Sequence, residues 1–446
     1  MNHVGAQIRS TRSVLSNCFA PLTCSTQHLR VPRGLFSTTS VALVVAEQKS
    51  LAKTPLYDLH VSHGGNMVGF GGYLMPLQYS GLSIIASHHF TRKNASLFDV
   101  SHMVQHSITG SGAREFLERI TPSDLNGLPS RTGGLSVLLW PKTGGIVDDT
   151  IITKLDSENF YVVTNAGCRQ KDLEYLSNEL NAYQKSGGSE VKWNVLDKRG
   201  LVALQGPLSE EILSNVMASA EITSLKDLYF AQSTYVKIKL ANGTESEPLL
   251  VTRGGYTGED GFEISIPREE IVGVTEVLLK SATSDKLQLA GLGARDSLRL
   301  EAGMCLYGHD LDDKTTPVEA GLSWVIGKTR RLNGDFHGAD VILSQLVPRS
   351  KGGLGVSRRR IGMIVDGAPA REGAKIIDID GTEIGNVTSG CPSPSLGKNI
   401  CMGYIKDGFH RSGTHVQVLV RGKKREALVT KMPFLPTKYW KGPAAT

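Results

Sequence analysis

The stretch Lys142-Thr143-Gly144-Gly145-Ile146-Val147-Asp148-Asp149-Thr150-Ile151-Ile152 is the one around which the chain is organised. Its two glycines favour a turn, and the run after them is apolar and β-branched except for two adjacent carboxylates. Strand interiors disfavour Asp, so the pair needs a reason. Successive side chains of a strand point to opposite faces, and therefore Asp148 and Asp149 cannot do the same job.

The chemistry of this pair favours a role in proton handling. Either carboxyl group would lie among apolar neighbours, where desolvation raises its pKa, and the charge of the other acts in the same direction. A carboxylate of this kind can position or exchange a proton near neutral pH. A strand end with a turn Asp and one salt-bridged partner would explain the same residues without catalysis. Alternation does not choose between the two acids, because both have apolar or β-branched neighbours two positions away.

Length and charge bound the class of protein. With 446 residues the chain is too long for one core, so two or three domains are expected. The formal net charge is +6, but residues 1–36 contain four arginines and no acid, which leaves +2 for the rest of the chain. That balance gives little support to nucleic-acid binding. No apolar run approaches the roughly 18 residues of a membrane span, so none is predicted.

The N-terminal region has the composition of a targeting segment. The first acidic residue is Glu47, and Arg, Ser, Thr and small apolar residues precede it. This composition is typical of a mitochondrial transit peptide, although a disordered tail would share it. Arg33-Gly34-Leu35-Phe36-Ser37 resembles a matrix-peptidase site with cleavage after Phe36. The sequence thus predicts a transit peptide over 1–36 and a mitochondrial matrix protein.

The pattern of strands and helices favours an α+β fold. Strands and helices mix without a βαβ rhythm. One strand is predicted over Asn94–His106, a capped helix over Ser111–Ile120, and further helices over Gln170–Gln184 and Gly293–Glu301. Residues 50–347 are expected to hold two domains.

A basic, glycine-rich stretch divides the chain. Residues 348–360 are predicted to be an exposed linker. Beyond it, over 361–446, six short strands with glycine turns and no clear helix predict a small antiparallel β-barrel. Thr388–Lys398 is predicted to be a rigid loop rich in Pro and Ser, without phosphate-loop spacing or a nucleophile elbow.

A second carboxylate stands out near the middle of the chain. A glycine-rich turn over 254–261 feeds a strand in which Phe262, Ile264 and Ile266 share one face. Glu263 lies on the other face and could accept hydrogen bonds from a ring amine. A plain hairpin with a polar outer face explains the same pattern.

Two arginines stand one turn apart on the helix predicted to end at Glu301. Arg295 and Arg299 could clamp a carboxylate. Asp296 and Glu301 offer internal partners, so a salt-bridged helix is the alternative.

The cysteines and the single histidines point to no further site. Cys168, Cys305, Cys391 and Cys401 are widely spaced, which indicates neither a disulfide framework nor zinc, and no metal site is predicted. Cys391 has no obvious His partner and is not expected to be a nucleophile. His102 and His309 lack metal-ligand spacing and are expected to satisfy local hydrogen bonds.

Taken together, these motifs are specific where each alone is weak. From about Thr54 to Tyr439 the chain resembles the aminomethyltransferases, the T-protein family of the glycine cleavage system. The motifs that carry the resemblance occur in one order, and they are Phe98-Asp99-Val100-Ser101-His102-Met103, Gly144-Gly145 to Asp149, Gly255-Tyr256-Thr257-Gly258-Glu259, Gly293 to Gly303, Thr388-Ser389-Gly390 and Lys431-Met432-Pro433-Phe434.

The resemblance implies a fold, a reaction and partners. In this family three domains form a cloverleaf around a folate cavity, the third being a β-barrel. The lipoyl arm of H-protein delivers an aminomethyl group, and its one-carbon unit passes to tetrahydrofolate with release of ammonia and dihydrolipoyl H-protein. Glycine decarboxylase and dihydrolipoyl dehydrogenase would be the other members of the complex.

The resemblance also assigns residues. It implies that Asp149 is the catalytic carboxylate, positioning and polarising the reacting folate nitrogens. Glu263 would hold the pterin edge, Arg295 would contact folate, and Tyr439 would lie in a tail that returns to the site. Further pocket positions implied in the same way are Met103, Leu135, Asn165 and Trp324.

Two other functions share the fold. One is a folate-dependent demethylase, which fits the transit peptide poorly, or the folate half of a sarcosine-type dehydrogenase. The latter is fused to a flavin domain, and this chain has no dinucleotide fingerprint. The other is a non-catalytic folate-binding protein of iron–sulfur assembly. Such proteins carry a Lys-Gly-Cys motif, which is absent here.

Overall fold

The strands of the protein form two large sheets, one small sheet and a barrel in the computed structural model, which describes residues 51–443. The transit peptide predicted over 1–36 lies outside the described residues. The strands are, in chain order, β1 Ala52–Lys53, β2 Gly65–Phe70, β3 Tyr73–Tyr79, β4 Ala95–Asp99, β5 Val104–Thr109, β6 Thr132–Leu139, β7 Ile146–Lys154, β8 Asn159–Thr164, β9 Lys192–Val195, β10 Arg199–Gln205, β11 Met217–Ala220, β12 Ser233–Ile238, β13 Leu249–Arg253, β14 Gly261–Pro267, β15 Leu287–Leu289, β16 Arg358–Val365, β17 Lys375–Ile377, β18 Glu383–Ser393, β19 Lys398–Lys406, β20 His415–Val420 and β21 Lys423–Thr430.

The helices are mostly short. They are α1 Tyr57–Ser62, α2 Ile84–Lys93, α3 Ala113–Ile120, α4 Arg169–Lys185, α5 Ser209–Val216, α6 Ile271–Lys280, α7 Leu292–Glu301, α8 Lys328–Asn333 and α9 Ala339–Leu346. Single 3₁₀ turns occur at Ala166–Cys168, Leu225–Asp227, Ser323–Val325 and Arg349–Lys351. Within residues 51–443, none of the helices has the length and apolar character that a membrane crossing requires.

The two large sheets face each other and are covered by helices on their outer sides. One has five strands in the order β6-β7-β8-β5-β9, and the other has seven in the order β11-β12-β13-β14-β10-β4-β15. Apolar residues of β8, β10 and β13, among them Val163, Leu201 and Leu250, meet Ala294 and Leu298 of α7 between the sheets. The facing surfaces of the two sheets therefore share a core. Burial of apolar surface in such a core stabilises the folded state by about 25 cal/mol per Å².

The C-terminal strands close into the predicted barrel. Its order is β16-β19-β18-β17-β20-β21, and every pair in it is antiparallel. Alternate residues such as Met363, Val387 and Val418 point inwards and are buried. The prediction of an α+β fold that ends in a six-stranded barrel is confirmed.

Three local predictions were wrong. Asn94–His106 is not one strand, because the Asp99 carboxylate accepts a hydrogen bond from the Ser101 backbone at 2.9 Å and turns the chain between β4 and β5. Helix α3 has Gly112 at its N-cap and no side-chain cap. In the predicted loop over 388–398 only 394–397 form a turn, while 388–393 belong to β18, where Cys391 packs against Leu300 of α7 and Ile400 of β19.

The expected linker also ends earlier than predicted. Strand β16 starts at Arg358, so the arginines at 358–360 lie in the barrel sheet. The Arg360 guanidinium donates to the Ala320 carbonyl at 2.7 Å, and its backbone N–H donates to the Glu319 carbonyl at 2.8 Å. These bonds hold Arg360 against the preceding segment. The division of 50–347 into two domains stays a prediction.

Helix α7 connects the sheets with the barrel through buried charges. The Glu301 carboxylate lies 2.8 Å from Arg92 and 3.1 Å from His88, both on α2, and its side chain is fully buried. It also accepts hydrogen bonds from Ser393 and Ser395 of the barrel region. The neighbouring Arg299 guanidinium donates to Asp310 at 2.7 Å and to Ser389 at 2.9 Å. The barrel is therefore joined to the rest of the chain by a polar network.

We expect Glu301→Gln to lower stability in a pH-dependent way. Burial alone would raise the pKa of Glu301, but the hydrogen bond and charge of His88 and the bonds from Ser393 and Arg92 bring it down from 4.5 to about 2. Because the pKa of Glu301 is lower in the folded protein than in the unfolded chain, the ionised carboxylate stabilises the fold at pH values above about 4.5. This contribution disappears as the pH falls from about 4.5 towards 2. At about 1.4 kcal/mol per pKa unit it amounts to roughly 3 kcal/mol.

Urea unfolding of residues 37–446 measures this effect. The difference in unfolding free energy between the wild type and Glu301→Gln should be largest near pH 7 and should narrow at pH 3. Glu276→Gln removes an exposed partner of Lys280 and should change stability by less than about 0.5 kcal/mol. An equal loss for Glu301→Gln at both pH values would contradict the expectation.

Candidate active site

Strand β7 presents its two carboxylates to different surroundings, as the alternation predicts. Asp149 pairs with Val137 of β6 and shares a strand face with Ile151, which lines a cavity between the two large sheets. Asp148 is fully buried on the other face, near Asp172 of α4. Only Asp149 is therefore placed on the side of the cavity.

Asn165 holds both acids. It follows β8 directly, and its backbone N–H donates to Asp148 Oδ2 at 2.8 Å. Its Nδ2 donates to Asp148 Oδ1 and to Asp149 Oδ1, each at 2.9 Å. Because one amide group bridges the pair, the orientation of Asp149 depends on the position of Asp148.

Burial brings the pKa of the Asp149 carboxyl group close to neutral pH. It raises the pKa of this carboxyl from 3.8 to about 8, and the neighbouring charge of Asp148 acts in the same direction. The hydrogen bond from Asn165 opposes the rise, and Asp310 adds to it. A carboxyl group with such a pKa can exist in either protonation state under physiological conditions.

The cavity beside Asp149 has apolar walls and a few polar groups. It lies between β7 and β8 on one side and β10, β13 and β14 on the other. The residues that line it are Ile151, Thr153, Tyr161, Val163, Leu201, Leu250, Thr252, Glu263 and Ser265. Apolar walls with few polar groups are the usual make-up of a small-molecule site.

Glu263 supplies the acid of this cavity. It lies on β14, opposite Thr252 of β13 and Ala203 of β10. Burial raises its pKa, and the charge of Arg295 opposes that rise. The carboxylate is thus placed to accept hydrogen bonds from a ligand held between the sheets.

Arg295 has an unused donor in the same region. It projects from α7, and its Nη1 is buried with no hydrogen-bond partner among residues 51–443. Its guanidinium lies 4.7 Å from the centre of the Tyr256 ring. Burial lowers its pKa, while Glu263 and Tyr256 oppose that change. An unpaired buried donor fits a ligand that brings a carbonyl or carboxylate oxygen.

The remaining predicted residues are spread over the edge of the site. Leu135 of β6 lies opposite Ile151, and Met103 packs against the core between the sheets. Tyr439 stacks on Phe230 with ring centres 4.2 Å apart. The segment around it returns to the turn before β14, because the Lys438 N–H donates to the Gly258 carbonyl at 2.8 Å.

Trp324 does not wall the cavity. It is 64% exposed, whereas the next residue, Val325, is 6% exposed and packs inwards. The 3₁₀ turn over Ser323–Val325 gives one inward position to this segment, and Val325 takes it. The expectation for Trp324 therefore needs correction.

The histidines and cysteines mostly behave as expected. His309 pairs with Glu372 at 2.8 Å, and burial raises the pKa of the Cys391 thiol to about 12, which makes it a poor nucleophile. All four described cysteines are free. His102 differs from the expectation, since its Nδ1 is buried without a partner among residues 51–443. Its ring packs against Phe70, and burial lowers its pKa to about 4.

Some residues of the site had no signal of their own in the sequence. Tyr256 lies under Arg295, and the charge of Asp149 is one of the influences on its raised pKa, after burial and Arg299. Tyr256 therefore lies close enough to both Arg295 and Asp149 to feel their charges. Its place in the glycine-rich turn before Glu263 was the only hint. Tyr161 and Asp172 come close to the site only through the packing of sheet and helix.

Comparisons with known proteins agree along most of the chain. The family model described as GCVT N-terminal domain matches residues 56–330, and the glycine cleavage T-protein C-terminal barrel domain matches 358–435. Mitochondrial aminomethyltransferase of Mesembryanthemum crystallinum is 48% identical over 398 residues, which cover 89% of this chain and 93% of the relative. That of Pisum sativum is 48% identical over 396 residues, with 89% and 92% covered.

A solved structure is also similar. The glycine cleavage system aminomethyltransferase T of Bartonella henselae superposes with a TM-score of 0.77 at 36% sequence identity. The match covers 88% of this chain and 100% of that one.

Proposed function

The chain belongs to the glycine cleavage T-protein family, and from this premise we propose how its residues share the work of aminomethyl transfer. It is an aminomethyltransferase that depends on tetrahydrofolate. The resemblance inferred from the motifs is confirmed, and so is the fold class that it implied.

The proposal rests on one arrangement: Asp149, clamped by Asn165, lies on the face of β7 that borders a cavity with Glu263 and Arg295 nearby. We infer that this cavity holds the folate ring. Its apolar walls suit a flat heterocycle, and the Glu263 carboxylate can accept hydrogen bonds from ring N–H groups. The unpartnered Arg295 Nη1 can donate to an oxygen of the same substrate.

In this proposal the protein orients the substrate and manages charge. Tetrahydrofolate, when bound, supplies the nitrogen atoms that accept the one-carbon unit. Asp149 faces them from a site of low dielectric, where a carboxylate strongly stabilises positive charge and can also take up a proton at its Oδ atoms. Glu263 and Arg295 fix the ring, and Asn165 fixes Asp149. No metal takes part in this proposal.

The cellular setting follows the relatives in outline. The relatives are named mitochondrial, and we propose the mitochondrial matrix for this chain, with residues 1–36 as its transit peptide. As a T-protein it works with H-protein. We propose that the lipoyl arm of H-protein brings the aminomethyl group, and that glycine decarboxylase and dihydrolipoyl dehydrogenase complete the system.

The test is single-turnover transfer from aminomethyl-loaded H-protein. Residues 37–446 are mixed with the loaded carrier, with and without tetrahydrofolate, and ammonia and methylene-tetrahydrofolate are measured. We expect release of both products that depends on folate. Folate binding without any release would contradict the proposal and would favour the non-catalytic folate-binding relatives. Release from a methylated amine, but not from loaded H-protein, would favour the demethylases.

A further inference from the structure

A second buried acid approaches Asp148 from the side away from the cavity. Asp172 lies in the first turn of α4 and is 0% exposed. Its carboxylate, the Asp148 carboxylate and the Cys168 sulfur all lie within 4.8 Å of one another. The aminomethyl-transfer proposal above gives Asp172 no role.

The hydrogen bonds around the two acids are unequal. Both oxygens of Asp148 accept from Asn165. Neither oxygen of Asp172 has a hydrogen-bond partner of normal geometry among residues 51–443, although the residue is fully buried and the Thr164 hydroxyl lies beside it. Two buried carboxylates within 4.8 Å of each other strongly disfavour the state in which both are ionised. A proton on one of them removes the repulsion and also provides the missing hydrogen bond.

We propose that Asp172 is a positioning residue that stays protonated and donates its O–H to Asp148. Asp148 keeps the negative charge and accepts the two hydrogen bonds from Asn165. Asn165 in turn donates to Asp149 and fixes its orientation. The order of contact is Asp172, Asp148, Asn165, Asp149, and it runs from α4 through the sheet to the cavity. This inference rests on the proposed role of Asp149 in aminomethyl transfer.

The assignment of the proton to Asp172 agrees with its surroundings. Burial, followed by the charge of Asp148 and a hydrogen bond to it, raises the pKa of Asp172 to about 10. The other titratable groups that face the two acids are Cys168, Lys171 and Tyr307, and those that face Asp149 are Tyr256, Cys305 and Asp310. Lys171 is engaged by Tyr307 at 2.6 Å and by Asp313 at 3.0 Å, so it does not neutralise the pair.

Two substitutions distinguish the role of Asp172 as a hydrogen-bond donor from its role in packing. Asp172→Asn keeps the size and supplies an N–H donor to Asp148, whereas Asp172→Leu is similar in size and has no donor. Glu174→Gln removes a charge from an exposed position on the same helix and serves as the control.

We expect Asp172→Leu to lower kcat by about 10-fold, the typical cost of losing one hydrogen bond to a buried charge. The KM for tetrahydrofolate should change by less than about 2-fold, because Asp172 does not border the cavity. Without its donor, Asp148 takes up a proton, and the loss of its charge lowers the pKa of Asp149. The pH profile should therefore move to lower pH in Asp172→Leu. Asp172→Asn and Glu174→Gln should retain the wild-type kcat within about 2- to 3-fold and the wild-type profile.

Infrared spectroscopy tests the proton directly and without turnover. At pH 9 Asp149 is mostly ionised, while Asp172 is expected to remain protonated. The wild type should then show the carbonyl band of a protonated carboxylic acid that Asp172→Asn lacks. This readout applies even if Asp172→Leu fails to fold.

Three results would overturn the inference. These are equal losses of kcat in Asp172→Asn and Asp172→Leu, an unchanged profile in a folded Asp172→Leu, and no difference band at pH 9. If Asp149→Asn abolishes transfer while the Asp172 variants behave like Glu174→Gln, only this inference fails. If Asp149→Asn is fully active, the proposed function itself fails.

Discussion

Asp149→Asn is expected to lower kcat by roughly two or more orders of magnitude, the usual cost of losing a well-placed acid–base group. The substitution preserves the fold, because Asn has the same shape and its side-chain oxygen can still accept the 2.9 Å hydrogen bond from Asn165. Only the charge and the exchangeable proton are lost. The effect should therefore appear in turnover and not in stability.

Single-turnover transfer from loaded H-protein measures the loss, and the unfolding midpoint checks the fold. The pH profile of kcat/KM reports groups of the free enzyme. The wild-type profile should show an inflection near pH 8, the pKa expected for Asp149, and Asp149→Asn should lack it. A rise in activity through this inflection would mean that the ionised carboxylate is the active form, and a fall would mean the protonated one.

Asp148→Asn is the matched comparison, since it removes the neighbouring acid from the same strand. It should affect turnover less than Asp149→Asn, because Asp148 acts on the cavity only through Asn165. If Asp148→Asn were far more damaging, the roles assigned to the two acids would have to be exchanged.

Arg295→Ala is expected to weaken tetrahydrofolate binding by roughly 10- to 100-fold, the range for a hydrogen bond to a charged group in a buried site. Its Nη1 has no partner among residues 51–443, so the truncation leaves few protein groups unsatisfied. The Kd for H-protein should change by less than about 2-fold. Loss of folate affinity without loss of carrier affinity would place Arg295 in the folate site.

Calorimetry with tetrahydrofolate and, separately, with H-protein gives both constants. Arg295→Lys should show an intermediate loss, because a lysine keeps the charge but lacks the planar fork of donors. Arg411→Ala, at an exposed position before β20, is the control and should bind like the wild type. Equal weakening of both ligands by Arg295→Ala would indicate a general structural role instead.

Much of this fold was predictable because its signals are local. Short strands separated by glycine turns predicted the barrel, and two acids in a β-branched run marked β7. The sequence pattern could not show which of Asp148 and Asp149 faces the cavity, since both have similar neighbours along the strand. It is decided by which sheet face meets the second sheet and which meets α4, and this is a property of packing.

The failures have the same origin. One hydrogen bond from Ser101 to the Asp99 side chain splits a run that looks like a continuous strand. Pro392 suggested a loop, yet β18 continues through it to Ser393. Trp324 was a plausible wall until the 3₁₀ turn gave the inward position to its neighbour. Asp172 sits in a helical pattern of leucines, and only the approach of α4 to β7 shows that it meets Asp148.

The C-terminal segment affects when the molecule can be completed. The Phe434 N–H donates to the Glu301 carbonyl, the Lys438 N–H to Gly258, and the Phe230 N–H to the Trp440 carbonyl. Residues that leave the ribosome late thus fasten elements that were made much earlier. While residues 434–440 are not yet synthesised, the Gly258 carbonyl in the turn before β14 lacks the hydrogen bond that it accepts from Lys438.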